Sequence, residues 1–336
     1  MSSYRLDDTK PHAFWDNSYP PRLSIKPGDT VVFETLEASA KQITPASRSE
    51  ALNTLNFDLI HPLTGPVYVK GAEPGDTLEV EVIRLEHRGW GWNAVIPGFG
   101  LLAEDFSTPY LHHYKLGQEH CEFRSDIRIP YEPFCGVMGV APREPGRFNT
   151  IPPRENGGNL DIRHLTAGTR IFFPVLVPGA LFSCGDCHSA QGDGEVNGTG
   201  IETPMTVTLR FNLKKGKKIT ELRFITPPGK RLTLTDSAGY FVTTAHGPDL
   251  FKNAQCAVRY MVDYLSSERQ MTREQAYCLC GAAVDLKISE IVDAPNWIVS
   301  AYLPLSIFVK PKVTVQKQRD KTLSKRKTIK SKTGRR

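Results

Sequence analysis

Polar and apolar residues alternate with a period of two in several stretches, and those stretches set the expected architecture. Leu78, Val80 and Val82 alternate with Glu79 and Glu81 after the turn Glu73-Pro-Gly-Asp76. Met205, Val207, Leu209 and Phe211 alternate with Thr206, Thr208 and Arg210. A period of two places one set of side chains on each face of a strand, so both runs are predicted as half-buried strands. Residues 20–36 read as strand, turn, strand around Pro27-Gly28, and Ile171 to Val177 as an apolar strand. Two or three further strands are expected over 218–245. Residues 41–57 suggest a short helix, while 90–110 and 134–160 lack periodicity and are read as loops.

Helical spacing emerges only late in the chain. Leu250, Phe251, Ala254, Val258, Met261 and Leu265 form one stripe following Asp249. Thr272 and Gln275 match a capping box opening a second helix over roughly 273–286. The expected fold is therefore mainly β: a multi-stranded, β-sandwich-like body with a small α+β C-terminal portion containing two helices. Its organisation is read as an N-terminal β subdomain over 1–155 and a β-rich subdomain over 156–310, followed by a basic tail over 311–336.

Composition adds two things. The net charge of +6 is carried by the tail, where residues 311–336 hold eleven Lys/Arg against one Asp and so leave the body at −4. The tail has too little apolar surface to offset its ordering entropy; it is expected to be disordered, and its charge suits an acidic partner. No apolar run is long enough for a membrane span, and the first residues lack the apolar core of a signal peptide. Seven cysteines, an odd number, argue against a disulfide framework and for a reducing, cytoplasmic setting.

The chemistry concentrates in residues 183–203. Asp186, Asp193, Glu195, Glu202, His188 and five glycines share these 21 positions. Oxygen and nitrogen donors held this close serve a metal ion or an acid/base pair, and the glycines permit tight turns. Asp186 and His188, two apart in an extended chain, reach one metal from one face, and Glu195 returns to it as ligand or base. Cys184-Gly-Asp-Cys-His188 also spells a haem-attachment pattern, which the missing export signal disfavours. A redox pair or zinc clip at Cys184 and Cys187, or a cysteine nucleophile, are alternatives, as is a non-catalytic binding protein.

Phe182 to Val196 resembles the signature of the acetamidase/formamidase family, and other segments agree in order: His61 to Asp76, Pro133 to Pro142, Gly157 to Asp161, Pro174 to Leu181 and Asp285 to Asn296. The likeness spans roughly residues 5–310. It implies a cytoplasmic homo-oligomer that cleaves short aliphatic amides such as formamide or acetamide to the acid and ammonia. It implies a divalent metal near this segment, zinc first, with calcium or magnesium as alternatives. Carried over residue by residue, Asp186, His188, Asp161 and Glu202 are expected ligands, and Glu195, His188 and Asp186 the catalytic set. Gly185, Gln191, Gly192 and His61 are expected at the substrate, with the backbone N–H groups of the glycine-rich loop steadying the oxyanion.

Overall fold

The alternation in Met205–Lys214 decides the centre of the larger sheet. In this computed structural model, which describes residues 1–228 and 236–309, Met205, Val207, Leu209 and Phe211 are buried and their neighbours are half-buried. The strand lies between Thr30–Glu34 and Thr77–His87, antiparallel to both, with Leu209 opposite Val31 on one side and Val82 on the other. Ser3–Leu6 extends one edge, and Arg170–Pro174 then Arg223–Ile225 the other, giving six strands.

A five-stranded sheet runs in the order Gly157–Asn159, Phe134–Gly139, Phe182–His188, Leu63–Val69, Leu23–Ile25. One apolar core joins the two sheets. The Phe182 ring meets Phe33, Phe173 and Phe211 edge-on, with centroids 6.1, 5.7 and 5.2 Å away. Such aromatic packing adds to what area burial alone supplies. Both sheets take strands from either side of residue 155, so hydrogen bonding crosses the boundary expected there.

A four-stranded antiparallel meander, Trp90–Val95 to Ile127–Pro130, packs on the C-terminal portion through a second core. That portion holds helix α1 (Leu250–Arg269), helix α2 (Arg273–Ala283) and a three-stranded sheet of Tyr240–Gly247, Trp297–Pro304 and Asp285–Glu290. Both helices begin as their sequences require. Asp249 accepts from the N–H groups of Phe251 and Lys252, and Thr272 with Gln275 forms the capping box. Helix α2 stops at Ala283, short of 286, because Asp285 already pairs with Tyr302 in a strand.

Two expectations are corrected. Segments read as loops contain strands Trp90–Val95 and Phe134–Gly139. Phe134–Gly139 is buried at every position and Trp90–Val95 at all but one, so neither shows the alternation that marks a half-exposed strand. The helix expected within 41–57 is a 3-10 turn over Ser49–Thr54 followed by another over Phe57–Leu59. The basic tail and part of the 218–245 region lie outside the described residues.

Candidate active site

Phe182–His188 is the middle strand of the five-stranded sheet, and all of its residues are buried. Asp186 sits on it in the left-handed region, φ +50°. Strict alternation would send Cys184 and Cys187 to opposite faces, yet both join the apolar core. The left-handed Asp186 between them resets the phase of the strand. Asp161 and Glu195 are left-handed too, at φ +46° and +43°. Each such non-glycine residue costs about 1–3 kcal/mol, a strain that gathers where structure is spent on function.

These three acids meet around His188. Its Nε2 lies 3.6 Å from Asp186 Oδ1, 3.9 Å from Glu195 Oε1 and 3.2 Å from Glu202 Oε2. Its Nδ1 lies 2.8 Å from Gln191 Oε1 and 3.9 Å from Asp161 Oδ1. His61 approaches from the chain leading into the neighbouring strand, Nε2 to Asp186 Oδ2 3.7 Å. Gly136 and Gly200 make room: a Cβ on Gly136 would stand 2.6 Å from Asp161 Oδ1 and 2.7 Å from Asp186 Oδ2, and one on Gly200 2.5 Å from His188 Nδ1.

What the cluster leaves unsatisfied is informative. Asp161 Oδ1, Asp186 Oδ1, His188 Nε2 and Glu202 Oε2 are buried with no hydrogen-bond partner. Buried polar atoms are nearly always paired, so four orphans converging on one spot suit a Lewis acid. Asp161, Asp186 and His188, and likewise His188, Glu195 and Glu202, bring donor atoms within 4.8 Å of one another. Carboxylates with one imidazole suit a hard or borderline divalent cation, so the residues fit the metal that the family resemblance implies.

The electrostatics agree. Burial pushes the carboxyl groups of Asp161, Glu195 and Glu202 above the usual range, and neighbouring negative charges push them further. Burial would raise Asp186 as well, but the imidazoles of His61 and His188 hold it well below. Burial works against a proton on His188; Glu202 and Asp186 outweigh it and raise its pKa. Without a cation, the cluster relieves its crowding with protons.

A cavity of about 50 Å³ opens over these groups. Asp161, Asp186, Glu195, Glu202 and His61 line it, together with a mostly apolar surround that includes Leu55, Phe57, Ile60, Trp92, Ile96 and Phe99. Trp92 is held by its indole N–H donating to the buried Glu37, 2.9 Å. The space suits a molecule of few heavy atoms.

Three comparisons with known proteins bear on this arrangement. The sequence profile of the Acetamidase/Formamidase family matches residues 2–147 and 144–310. The chain belongs to the acetamidase/formamidase family. Its curated relatives include the acetamidase of Mycolicibacterium smegmatis, 28% identical with 81% of this chain and 85% of that one covered. The formamidase of Methylophilus methylotrophus is 27% identical, with 90% of each covered. Among solved structures, the gamma lactamase from Delftia acidovorans superimposes with a TM-score of 0.84 at 26% identity over 93% of this chain and 94% of that one. The acetamidase from Bacillus halodurans gives 0.64 at 33% identity, covering 90% and 97%.

Within this family framework, the structure brings Asp186, His188, Glu195, Asp161, Glu202 and His61 together and places three other expected residues elsewhere. Gly185 lies within the strand against its neighbour, where a Cβ would stand 2.7 Å from the Pro62 carbonyl. Gly192 abuts Val284, whose carbonyl oxygen would be 2.1 Å from a Cβ. Gln191 is buried against His188. The glycine-rich loop does not steady an oxyanion with the N–H groups of Gly192, Gly198 or Gly200. They already donate to the carbonyls of Gly281 and Glu195 and to Glu202 Oε1, at 2.8, 2.7 and 2.8 Å. Cys184 and Cys187 are fully buried in the core and their thiols are pushed up by burial, which disfavours them as nucleophiles. Sequence reasoning counted Gly200 among the glycines of 183–203 but missed Gly136, which lies within Pro133 to Pro142, and the apolar walls. Nothing in the one-dimensional pattern marks a wall residue far along the chain from the acids.

No helix among the described residues is long and apolar enough to cross a membrane.

Proposed function

We propose that this protein hydrolyses a small amide to its carboxylic acid and ammonia at the Asp161–Asp186–His188–Glu195–Glu202 cluster. The observation that carries the reading is the convergence of four orphaned, buried donor atoms of Asp161, Asp186, His188 and Glu202, with the three acids also lining a small, mostly apolar cavity. Asp186, His188, Asp161 and Glu202 are the residues that would hold a divalent cation, zinc first among the candidates. When bound, such an ion lowers the pKa of a water molecule toward neutrality and polarises a carbonyl.

The chain's own groups supply the proton traffic. Glu195 faces the cavity, and its raised pKa lets it take a proton from the attacking water and return it to nitrogen as the carbon–nitrogen bond breaks. That return matters, because an amide nitrogen leaves poorly as an anion. His61, beside Asp186 and at the cavity wall, is placed to hydrogen-bond the substrate. The apolar walls hold the hydrocarbon part and keep bulk water out.

A second reading, a cyclic amide as substrate, is favoured by the 0.84 TM-score to a protein named a gamma lactamase. Both readings break the same bond. The experiment is release of acid and ammonia from formamide, acetamide and propionamide, with ring opening of 2-pyrrolidinone alongside. Chelator-treated protein is compared with protein given zinc, calcium or magnesium. Glu195→Gln is expected to keep its cation and lose about 10²–10⁴-fold in turnover. Absence of turnover on every amide with every cation would leave a binding protein and end the proposal. Undiminished turnover in the Glu195→Gln variant would remove Glu195 from its role.

A further inference from the structure

We infer that Gln191 is a positioning residue that prepares His188 to ligate a cation by fixing its tautomer; the inference rests on the cation site proposed above. The Gln191 side chain is 1% exposed and makes two hydrogen bonds. Its Nε2 donates to the backbone carbonyl of Asp161, 2.8 Å. An amide that donates through nitrogen accepts through oxygen, so Oε1 must receive the N–H of His188 Nδ1, 2.8 Å away. With Nδ1 carrying the hydrogen, the neutral ring presents its lone pair at Nε2. That is the atom without a partner, facing Asp186, Glu195 and Glu202. One amide therefore selects the ligating tautomer of His188.

The amide is itself held from behind. Ala190 accepts from Ile201 N–H, 2.9 Å, and Gly192 donates to Gly281, 2.8 Å. Asp193 N–H donates to Asp285 Oδ1, 3.0 Å. The last two bonds clamp the turn against helix α2 and the strand that follows it, holding the backbone on either side of Gln191 in place. Neither a carboxylate nor an apolar side chain could make both bonds: the first lacks the donor, the second lacks both groups.

Cation affinity distinguishes this role from packing. Zinc is titrated into chelator-treated full-length protein by competition with a chromogenic chelator, using wild type, Gln191→Met and Gln191→Glu, with thermal unfolding of each metal-free form as a folding control. Gln191→Met removes both bonds at similar volume and is expected to bind zinc about 10–100-fold more weakly, the usual effect of removing a ligand's supporting partner. Gln191→Glu keeps the acceptor for His188 and is expected to bind close to wild type. Gln191→Met binding as tightly as wild type overturns the inference. Equal weakening of both variants also overturns it, because the effect then belongs to the Asp161 bond or to packing. A wild-type protein that takes up no divalent cation fails differently, by removing the proposed site itself.

Discussion

Two clusters of charge are buried at similar depth in this protein, and they are built on opposite terms. In one, Arg163, 6% exposed, bridges Glu132 Oε2 at 2.8 Å and Asp285, which also accepts the N–H of Asp193. Burial works against the Arg163 charge, but Asp285 and Glu132 outweigh it. In the other, four carboxylates crowd one imidazole, and four of the donor atoms have no partner within the chain. Desolvating charge is costly wherever it happens. The first cluster carries its compensation within the chain; in the second, His188 and His61 offset only part of the crowded negative charge. Burial of charge is thus no mark of function by itself, whereas burial of unsatisfied charge is.

The sharpest way to break this contrast is to remove the internal counter-charge. Arg163→Met should cost about 3–5 kcal/mol of stability in urea unfolding, since Asp285 and Glu132 lose the cation that bridges them. A loss well under that would mean the two clusters do not differ. Next, the crowded cluster should respond with the opposite sign. Glu202→Gln keeps the acceptor for Gly200 N–H but removes one of the competing charges. The metal-free variant is expected to be more stable than metal-free wild type by at least about 1 kcal/mol. Divalent cation should stabilise wild type by about 2.7 kcal/mol at a hundredfold excess over Kd and the variant by less, both read from thermal unfolding.

The last effect concerns two half-buried imidazoles outside the site. His12 and His112 have pKa values pushed down to about 4, chiefly by burial. The unfolded chain takes protons there below about 6.5, while the folded one resists until about 4. Stability from these groups is therefore intact above 6.5 and is lost as pH falls below it, by about 1.4 kcal/mol per pH unit for each histidine. Urea unfolding at pH 7 and 5.5 checks this. His12→Gln and His112→Gln should each flatten the slope, and an unchanged slope in both would refute the assignment.

Much of the fold was legible in the chain. Alternation marked Thr77–His87 and Met205–Lys214, and capping residues marked the starts of both helices. Phe134–Gly139 was invisible because a strand buried on both faces has no polar phase to read. The acid-rich, glycine-rich segment announced the site, and Asp186, His188 and Glu195 could be placed together from local spacing. Gln191 and Gly192 were legible as members of that segment but not in their roles, since a side chain's direction depends on what packs behind it. Here that is Val284 and Gly281, far along the chain.

The chain alone determined its periodicities, its caps and the density of donors between 183 and 203, because these depend on neighbours a few bonds apart. Tertiary structure decided which donors stay unpaired, which face the cavity, and that Leu55, Phe57 and Phe99 wall it. Desolvation, and hence the charge state of every acid in the site, arises only when distant segments exclude water together.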